Sequence, residues 1–265
     1  MLLSQPVHTL PERLARLIWG WALAWWRIVY LGAVVLVLGL SPSSYGRLGR
    51  GLMARRIYLE TTPILLGFTV LAALLSLVIT RIVVVTALSY GLSRYALEMV
   101  IRVLVLELIP LTAAMFVAMR CAIPSGSQLA SLRVSGRLAA LDRAGADSVR
   151  MELLPRVVAA AFASVTLAAL SCVVALVMSY LSVYGFNTAG LVSFTRMFGH
   201  VFSPEVTLVF ALKTLFFSLA IAVIPMTAGL YDLGKSERRS ELGGLARMFA
   251  VLLLIEMISL VGNYY

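Results

Sequence analysis

The sequence predicts an all-α integral membrane protein with an interfacial N-terminal helix, five transmembrane helices, an amphipathic helix on the cytoplasmic side and a short helix on the opposite side. Composition is the first reason: 61% of the 265 residues are hydrophobic and only 13% are charged, whereas about a quarter of a soluble domain is charged. Apolar runs near the length that spans a bilayer are the second. The third is that basic residues fall mainly on alternate connections between these runs.

The N-terminal region, residues 10–56, is the first element, and it allows two interpretations. It carries four tryptophans, which favour the head-group level, and Arg27, which is costly at the centre of a bilayer. We therefore predict a helix lying in the cytoplasmic interface, with a re-entrant tip at 34–40. The alternative is a first transmembrane helix over 28–40, but that run has only 13 residues.

Five later segments have the apolar composition of membrane spans. The predicted spans are 62–88, 97–119, 157–183, 206–230 and 248–262. Residues 121–156 are rich in arginine, which predicts a soluble segment between the second and third spans. Aromatic residues, Gly and Asn at 184–205 predict a short interfacial helix and a loop. All of these segments form one domain, 1–265.

The distribution of basic residues predicts the orientation. If 10–56, 120–156 and 231–247 face the cytoplasm, they hold 17 of the 22 lysines and arginines. The opposite loops, 89–96 and 184–205, hold only Arg94 and Arg196. The positive-inside rule therefore places the N-terminus in the cytoplasm. The surplus of basic residues is explained by anionic head groups, so it does not indicate a nucleic-acid partner.

The segment after the second span contains an amphipathic pattern over 127–142. Apolar residues recur on one face at Leu129, Leu132, Leu138 and Leu141. One interpretation is a helix that lies on the head groups. The other is a helix that docks into a groove on a cytoplasmic partner, as amphipathic helices do in many complexes. Gly145 is expected to end this helix, and Asp147 to cap a short turn leading toward Pro155.

The second predicted span is the most polar of the five. Because charged side chains at membrane depth usually face the protein interior or a water cavity, those on this span are site candidates. Glu98 and Arg102 are one helical turn apart, so we expect them to pair with each other. Glu107 has no such neighbour one turn away. Pro110, three residues later, is expected to let the helix bend along a lipid pathway.

Glu107 therefore needs a partner from another span. Lys213 in the fourth span and Arg81 in the first are the candidates, because pairing would satisfy both buried charges. Asp232 and Glu256 are expected to have structural roles, at the membrane edge and in the bundle interior respectively.

Three motifs, in this order along the chain, resemble those of the MlaE/YrbE permeases, the membrane subunits of MCE-type lipid ABC transporters. They are ELIP at 107–110, LDRAGADSVRMELLPR at 141–156 and GLYD at 229–232. The resemblance covers roughly residues 45 to 262. Some positions depart from the family pattern: Gln128 replaces an acidic residue, and of a Gly-Arg-x-Gly motif only Arg120 is present.

The resemblance implies a homodimer in the bacterial inner membrane, two cytoplasmic ATPase subunits and a periplasmic MCE ring above a lipid pocket. The substrate is then a phospholipid or a similar amphiphile. Residues 127–142 become the coupling helix that contacts the ATPase, and the short helix after the third span becomes periplasmic. The residues implied in coupling are Leu132, Arg133, Arg137, Leu138, Leu141 and Asp142.

The chain has no GxxxxGK[ST] phosphate-binding loop, so ATP is expected to bind the partner. We expect no catalytic residue, metal or cofactor in this chain. An alternative is an intramembrane enzyme or a small-solute channel. An enzyme would need His, Asp or Cys clustered at membrane depth, and the predicted spans contain no His. A channel would show polar stripes along several spans, and these are missing from the sequence.

Overall fold

Long apolar runs fold into long helices in a membrane, because lipid offers no partner for backbone N–H and C=O groups. The computed structural model describes residues 10–42, 46–91, 93–145, 147–231 and 237–264. Throughout these residues the chain is helical except for short turns, which confirms the all-α membrane class. The α-helices are α1 (Leu10–Leu40), α2 (Arg47–Ser89), α3 (Ser93–Val100), α4 (Ile109–Val117), α5 (Ile123–Val134), α6 (Arg137–Arg143), α7 (Leu154–Tyr184), α8 (Leu191–Val201), α9 (Pro204–Tyr231) and α10 (Glu237–Tyr264).

Six helical stretches among the described residues are long and apolar enough to cross a membrane. They are Trp19–Leu40, Gly49–Ser89, Leu97–Val134, Val149–Tyr184, Pro204–Tyr231 and Leu242–Gly262. The last five contain the five predicted spans, and the first is one more than predicted. This stretch, Trp19–Leu40, lies in α1. Its tryptophan-rich half continues the apolar run without a break, and Arg27 is the single charged residue between Trp19 and Leu40.

The contacts of α1 lie at one end of the bundle. Arg27 Nη1 donates a hydrogen bond to the backbone oxygen of Tyr231 at 3.4 Å, and its guanidinium lies 5.4 Å from the centre of the Tyr231 ring. Leu31 and Val35 pack in a cluster that includes Met53. Tyr231 ends α9 and Met53 is near the start of α2, and the interfacial position of α1 stays a prediction. We call this end of the bundle the docking end.

The prediction that 121–156 is a soluble segment is wrong at both of its ends. The second span continues as a helix to Val134, and Leu129 is buried against the bundle. At the other end, Leu154 is fully buried at the start of α7. Because the segment is rich in arginine, its composition did not show that some of its apolar residues recur once per turn and pack inward. Residues 130–145 and 147–152 are exposed or half-buried throughout.

Three π-helical segments interrupt the helices, and each ends two residues before a proline. Proline has no N–H group, so it cannot bond to the carbonyl four residues earlier, and π turns are one way to absorb the disruption. The pairs are Ile101–Leu108 with Pro110, Ala118–Ala122 with Pro124, and Val149–Leu153 with Pro155.

Small residues on α7 allow the bundle to pack closely. Ala, Ser and Cys side chains form most of the buried face of α7, and small residues let helix backbones approach each other in membranes. The long helix α2 packs along this face. Ser179 and Thr80 join the two helices through a 3.2 Å hydrogen bond between their hydroxyls. The bundle is thus built around α7, with α9 packed on it as well.

Candidate functional site

A cluster of three charged side chains lies in the interior of the bundle. Lys213 of α9 is 2% exposed, and its ammonium contacts carboxylates from two other helical segments. It donates a hydrogen bond to Glu107 Oε2, and it forms an ion pair with Glu256 Oε2 at 2.9 Å. Of the two partners predicted for Glu107, the structure selects Lys213, whereas Arg81 lies exposed on α2. We call Glu107, Lys213 and Glu256 the charged triad.

Pro110 provides the third contact of Lys213. In a regular helix the amide of residue 110 would bond to the carbonyl of Leu106, and proline leaves that carbonyl without its donor. Lys213 Nζ donates to this oxygen at 3.2 Å. The preceding carbonyl, of Val105, faces the thiol of Cys172 with an Sγ–O distance of 3.6 Å. The Glu107–Pro110 motif therefore creates both a carboxylate and a carbonyl acceptor for one buried lysine.

The triad joins α9, α10 and the π-helical segment between α3 and α4. Two carboxylates face a single ammonium, so the group has a formal excess of negative charge. A buried ion pair is costly to separate, because removing one member leaves an uncompensated charge in a medium of low dielectric constant. The three segments can therefore move apart only if the lysine exchanges its contacts.

The other charged pair of this helix matches the sequence prediction. Arg102 Nε donates to Glu98 Oε1 at 3.3 Å, one turn apart and half-exposed. The pair does not join the charged triad. Asp232, the last residue of the GLYD motif, lies outside the described residues. Glu256, expected only as an interior structural residue, is instead a member of the triad.

The amphipathic segment forms a helical hairpin instead of one helix over 127–142. The chain breaks at Gly136, whose φ of 73° is in the left-handed region that favours glycine. Helix α5 ends before this turn and α6 begins after it. The local pattern of leucines at three- and six-residue steps did not reveal this break. The glycine in the sequence SGR was the available signal.

The side chains of this hairpin differ in burial. Leu132, Leu138 and Leu141 are half-buried, while the charged residues between them are exposed. Leu138 packs against the buried cluster that contains Leu129. The exposed charged residues named by the resemblance are Arg133, Arg137 and Asp142. Val134 at the tip is 74% exposed, although it is apolar.

The end of the hairpin follows the predicted capping pattern. Gly145 has a φ of 78° after α6, and the side chain of Asp147 caps the next turn. Its Oδ1 accepts hydrogen bonds from the amides of Val149 and Arg150 at 3.0 and 3.3 Å. Asp142 Oδ1 accepts from the Ser148 amide at 3.0 Å, which connects α6 to this turn. Both predictions, the glycine stop and the aspartate cap, are confirmed.

Two glycines bring α5 against α9. A Cβ added to Gly126 would lie 2.7 Å from the backbone oxygen of Pro225, closer than side chains tolerate. A Cβ on Gly229 would collide with the backbone oxygen of Gly126. Gly229 is the first residue of the GLYD motif, so the structure explains this part of the motif by close backbone packing. The base of the hairpin is therefore fixed to the end of α9.

A second group of charged residues at the docking end was missed in the sequence. It includes Glu60 of α2 and Arg156 of α7, whose side chains are 13% and 6% exposed. The available signal was the one-turn spacing from Arg56 to Glu60 and from Glu152 to Arg156. Sequence spacing alone did not indicate that these two pairs lie near each other.

Comparison with known protein families identifies a matching family. The family model described as permease MlaE matches residues 53–262, which is most of the chain. A comparison with curated proteins finds no match. The matched region includes the charged triad, the hairpin and both packing glycines. The chain belongs to the MlaE permease family, the membrane permease subunits of lipid ABC transporters.

Proposed function

We propose that the chain moves phospholipid, or a similar amphiphilic lipid, between the bacterial inner membrane and a periplasmic MCE-domain protein. Energy comes from a separate cytoplasmic ABC ATPase, and two copies of the chain form the membrane unit. The chain itself has no catalytic residue and binds no ATP. Its N-terminus and the docking end face the cytoplasm, which puts most of the basic residues on that side.

The exposed α5–α6 hairpin is the observation that carries this proposal. Its residues 131–137 are exposed apart from the half-buried Leu132, it presents leucines beside arginines, and its base is fixed to α9. A helical surface of this kind fits a groove on a soluble partner. The contact residues are Leu132, Arg133, Arg137, Leu138, Leu141 and Asp142. In the family to which the chain belongs, an ATPase is the partner expected there.

The charged triad is the proposed control point of the lipid path. Acyl chains bind to wide apolar surfaces. In this proposal, such surfaces form between the helices when they separate near the bend at Pro110. The contacts of Lys213 hold the helices together at this depth. The half-exposed pair Glu98 and Arg102 lies on the same helix, toward the end away from the docking end, where it can meet a lipid head group.

Purification from the native operon context tests this proposal. We expect an ABC ATPase and an MCE-domain protein to co-purify with the chain, and the complex to carry bound phospholipid. Mass spectrometry of the intact complex would identify both partners and the lipid. A chain that purifies alone, and supports no ATP-dependent lipid movement when mixed with the ATPase of its operon, contradicts the proposal.

A further inference from the structure

The second charged group lies where the hairpin meets the bundle. It brings together residues from three parts of the chain that are far apart in sequence. We call it the charged joint; its members are Arg56 and Glu60 of α2, Ser125 and Gln128 of α5, and Glu152 and Arg156 at the start of α7. It is separate from the charged triad, with which it shares no residue.

Glu60 connects α2 to the base of the hairpin. Its Oε1 accepts from Arg56 Nε at 2.9 Å and from Ser125 Oγ at 3.3 Å. Arg56 also reaches α5, because its Nη2 lies 3.4 Å from Gln128 Oε1. The backbone oxygen of Glu60 faces the thiol of Cys121, with an Sγ–O distance of 3.5 Å. A single turn of α2 thus holds α5 through several polar contacts.

Arg156 forms a second buried pair beside this group. It is 5% exposed, and its Nη1 donates to Glu152 Oε2 at 2.6 Å and to the Glu152 backbone oxygen at 3.0 Å. Each arginine pairs with a glutamate one turn away in its own stretch of chain, Arg56 with Glu60 and Arg156 with Glu152. Because α2 packs along α7, the two pairs belong to neighbouring helices.

The joint is not fully satisfied by hydrogen bonds. Within the described residues, Glu60 Oε2 and Arg156 Nε are buried and have no hydrogen-bond partner. Buried polar atoms without partners are uncommon in native structures. Glu60 and Arg156 thus each retain one hydrogen-bonding atom that a shifted neighbour can use.

We propose that Glu60 is a positioning residue for transport: it makes α5 and α2 move as one unit when the hairpin is displaced. This inference rests on the proposed function, since the displacement comes from the ATPase docked on the hairpin. Glu60 touches neither the ATPase surface nor the charged triad. It acts by carrying movement of the hairpin into α2, which packs along α7.

The test compares coupling with assembly in the complete transporter. Glu60→Gln keeps the size of the side chain and removes its charge. Ser125→Ala removes only the hydrogen bond from the Ser125 hydroxyl to Glu60. We expect both variants to bind the ATPase and hydrolyse ATP normally, while the lipid moved per ATP falls roughly 3- to 30-fold. Loss of stability alone would lower transport and ATP hydrolysis together and leave this ratio unchanged.

Two matched variants serve as controls. Ser76→Ala also removes a buried hydroxyl from α2, but that hydroxyl bonds only within its own helix, to the backbone oxygen of Ala72. Glu205→Gln removes an exposed carboxylate at the start of α9. Both should retain the wild-type ratio of lipid moved to ATP hydrolysed. A wild-type ratio in both Glu60→Gln and Ser125→Ala overturns the inference.

A distance measurement tests the joint without any ATPase. Spin labels at Ala54 of α2 and Ser131 of α5, both exposed, report whether the two elements hold one separation. We expect one narrow distance distribution in the otherwise unchanged chain and a broad one with Glu60→Gln. Equal distributions contradict the joint even if transport is absent. Absence of ATP-dependent transport in the wild type, with a narrow distribution that Glu60→Gln broadens, contradicts the proposed function instead.

Discussion

At the residue scale, Lys213 is the side chain on which the interior of the bundle depends most. It is buried, and it contacts two carboxylates and a carbonyl that Pro110 leaves without its usual donor. Each contact comes from a different position on the neighbouring segments. Lys213 therefore holds three parts of the membrane domain together by its contacts, and replacing it affects all three.

The first prediction concerns Lys213→Met. Methionine fills similar space but leaves Glu107 and Glu256 buried without a cation. We expect the free energy of unfolding to fall by about 3–5 kcal/mol, the usual cost of breaking a buried pair by removing one partner. Unfolding in detergent, followed by tryptophan fluorescence, measures this loss.

A compensated variant separates charge from packing in that experiment. Adding Glu107→Gln and Glu256→Gln to Lys213→Met removes the two carboxylate charges that faced the ammonium, so most of the lost stability should return. If the single variant is as stable as the wild type, the triad does not hold the helices together. If the triple variant is no more stable than the single one, packing and not charge explains the loss.

Sequence reasoning identified Glu107 and its need for a partner, but it left both Lys213 and Arg81 as candidate partners. The reason is rotational. Which residues face each other depends on how far each helix is turned about its axis, and the π-helical segment before Pro110 shifts that angle. Glu256 was missed as a member of the site for the same reason, because its own span gives no sign of which face is inward.

At the element scale, the packing of α5 against α9 determines the position of the hairpin on the bundle. Gly126 and Gly229 allow contact between two backbones, and the hairpin continues from this fixed base to its exposed tip. The α5–α9 contact therefore sets the direction in which the docking surface projects.

The second prediction concerns these glycines. Gly126→Ala and Gly229→Ala each add a Cβ that collides with backbone, so each should lower the free energy of unfolding by about 1–3 kcal/mol. Gly67→Ala on α2 is the matched control, since nothing lies within 4 Å of the added atom. That control should be neutral or raise stability by up to about 1 kcal/mol through helix propensity. Equal effects at all three positions would show that close packing is not the cause.

The third prediction concerns the tip of the hairpin. Arg137→Glu combined with Leu141→Glu reverses one exposed charge and places another in the leucine stripe. We expect ATPase affinity, measured by pull-down with graded ATPase concentrations, to fall roughly 10-fold or more. Membrane insertion should be unchanged. Arg196→Glu, an exposed arginine on α8, is the control and should bind normally. Unchanged binding by the double variant would place the ATPase elsewhere.

The elements themselves were only partly predictable. Spans without charges, such as the predicted span 157–183 in α7, followed from composition, and the glycine stop and aspartate cap after α6 followed from residue type. The segment 121–134 was assigned to solvent together with the arginine-rich residues that follow it, although it contains only one arginine, Arg133. Leu129 and Ala122 are in fact buried, because the bundle covers one face of this helix. Local composition reports an average over faces, and only packing distinguishes them.

At the scale of the whole molecule, one charged group lies at the docking end and the other lies in the interior of the bundle. The charged joint links the hairpin to α2, and the charged triad links α9 and α10 to the bent helix. Both lie on helices that pack against one another. ATP-driven displacement of the hairpin is expected to reach the triad through these packed helices, as a shift of rigid elements between two arrangements.

Lipid movement by the reconstituted complex tests this account most directly. The chain, its ATPase and its MCE partner are placed in proteoliposomes that contain a fluorescent phospholipid, and transfer is followed with and without ATP. We predict transfer that requires ATP and falls at least about 10-fold in Lys213→Met at unchanged ATPase binding. Transfer by the wild type at one rate with and without ATP, or wild-type transfer by Lys213→Met, would contradict it.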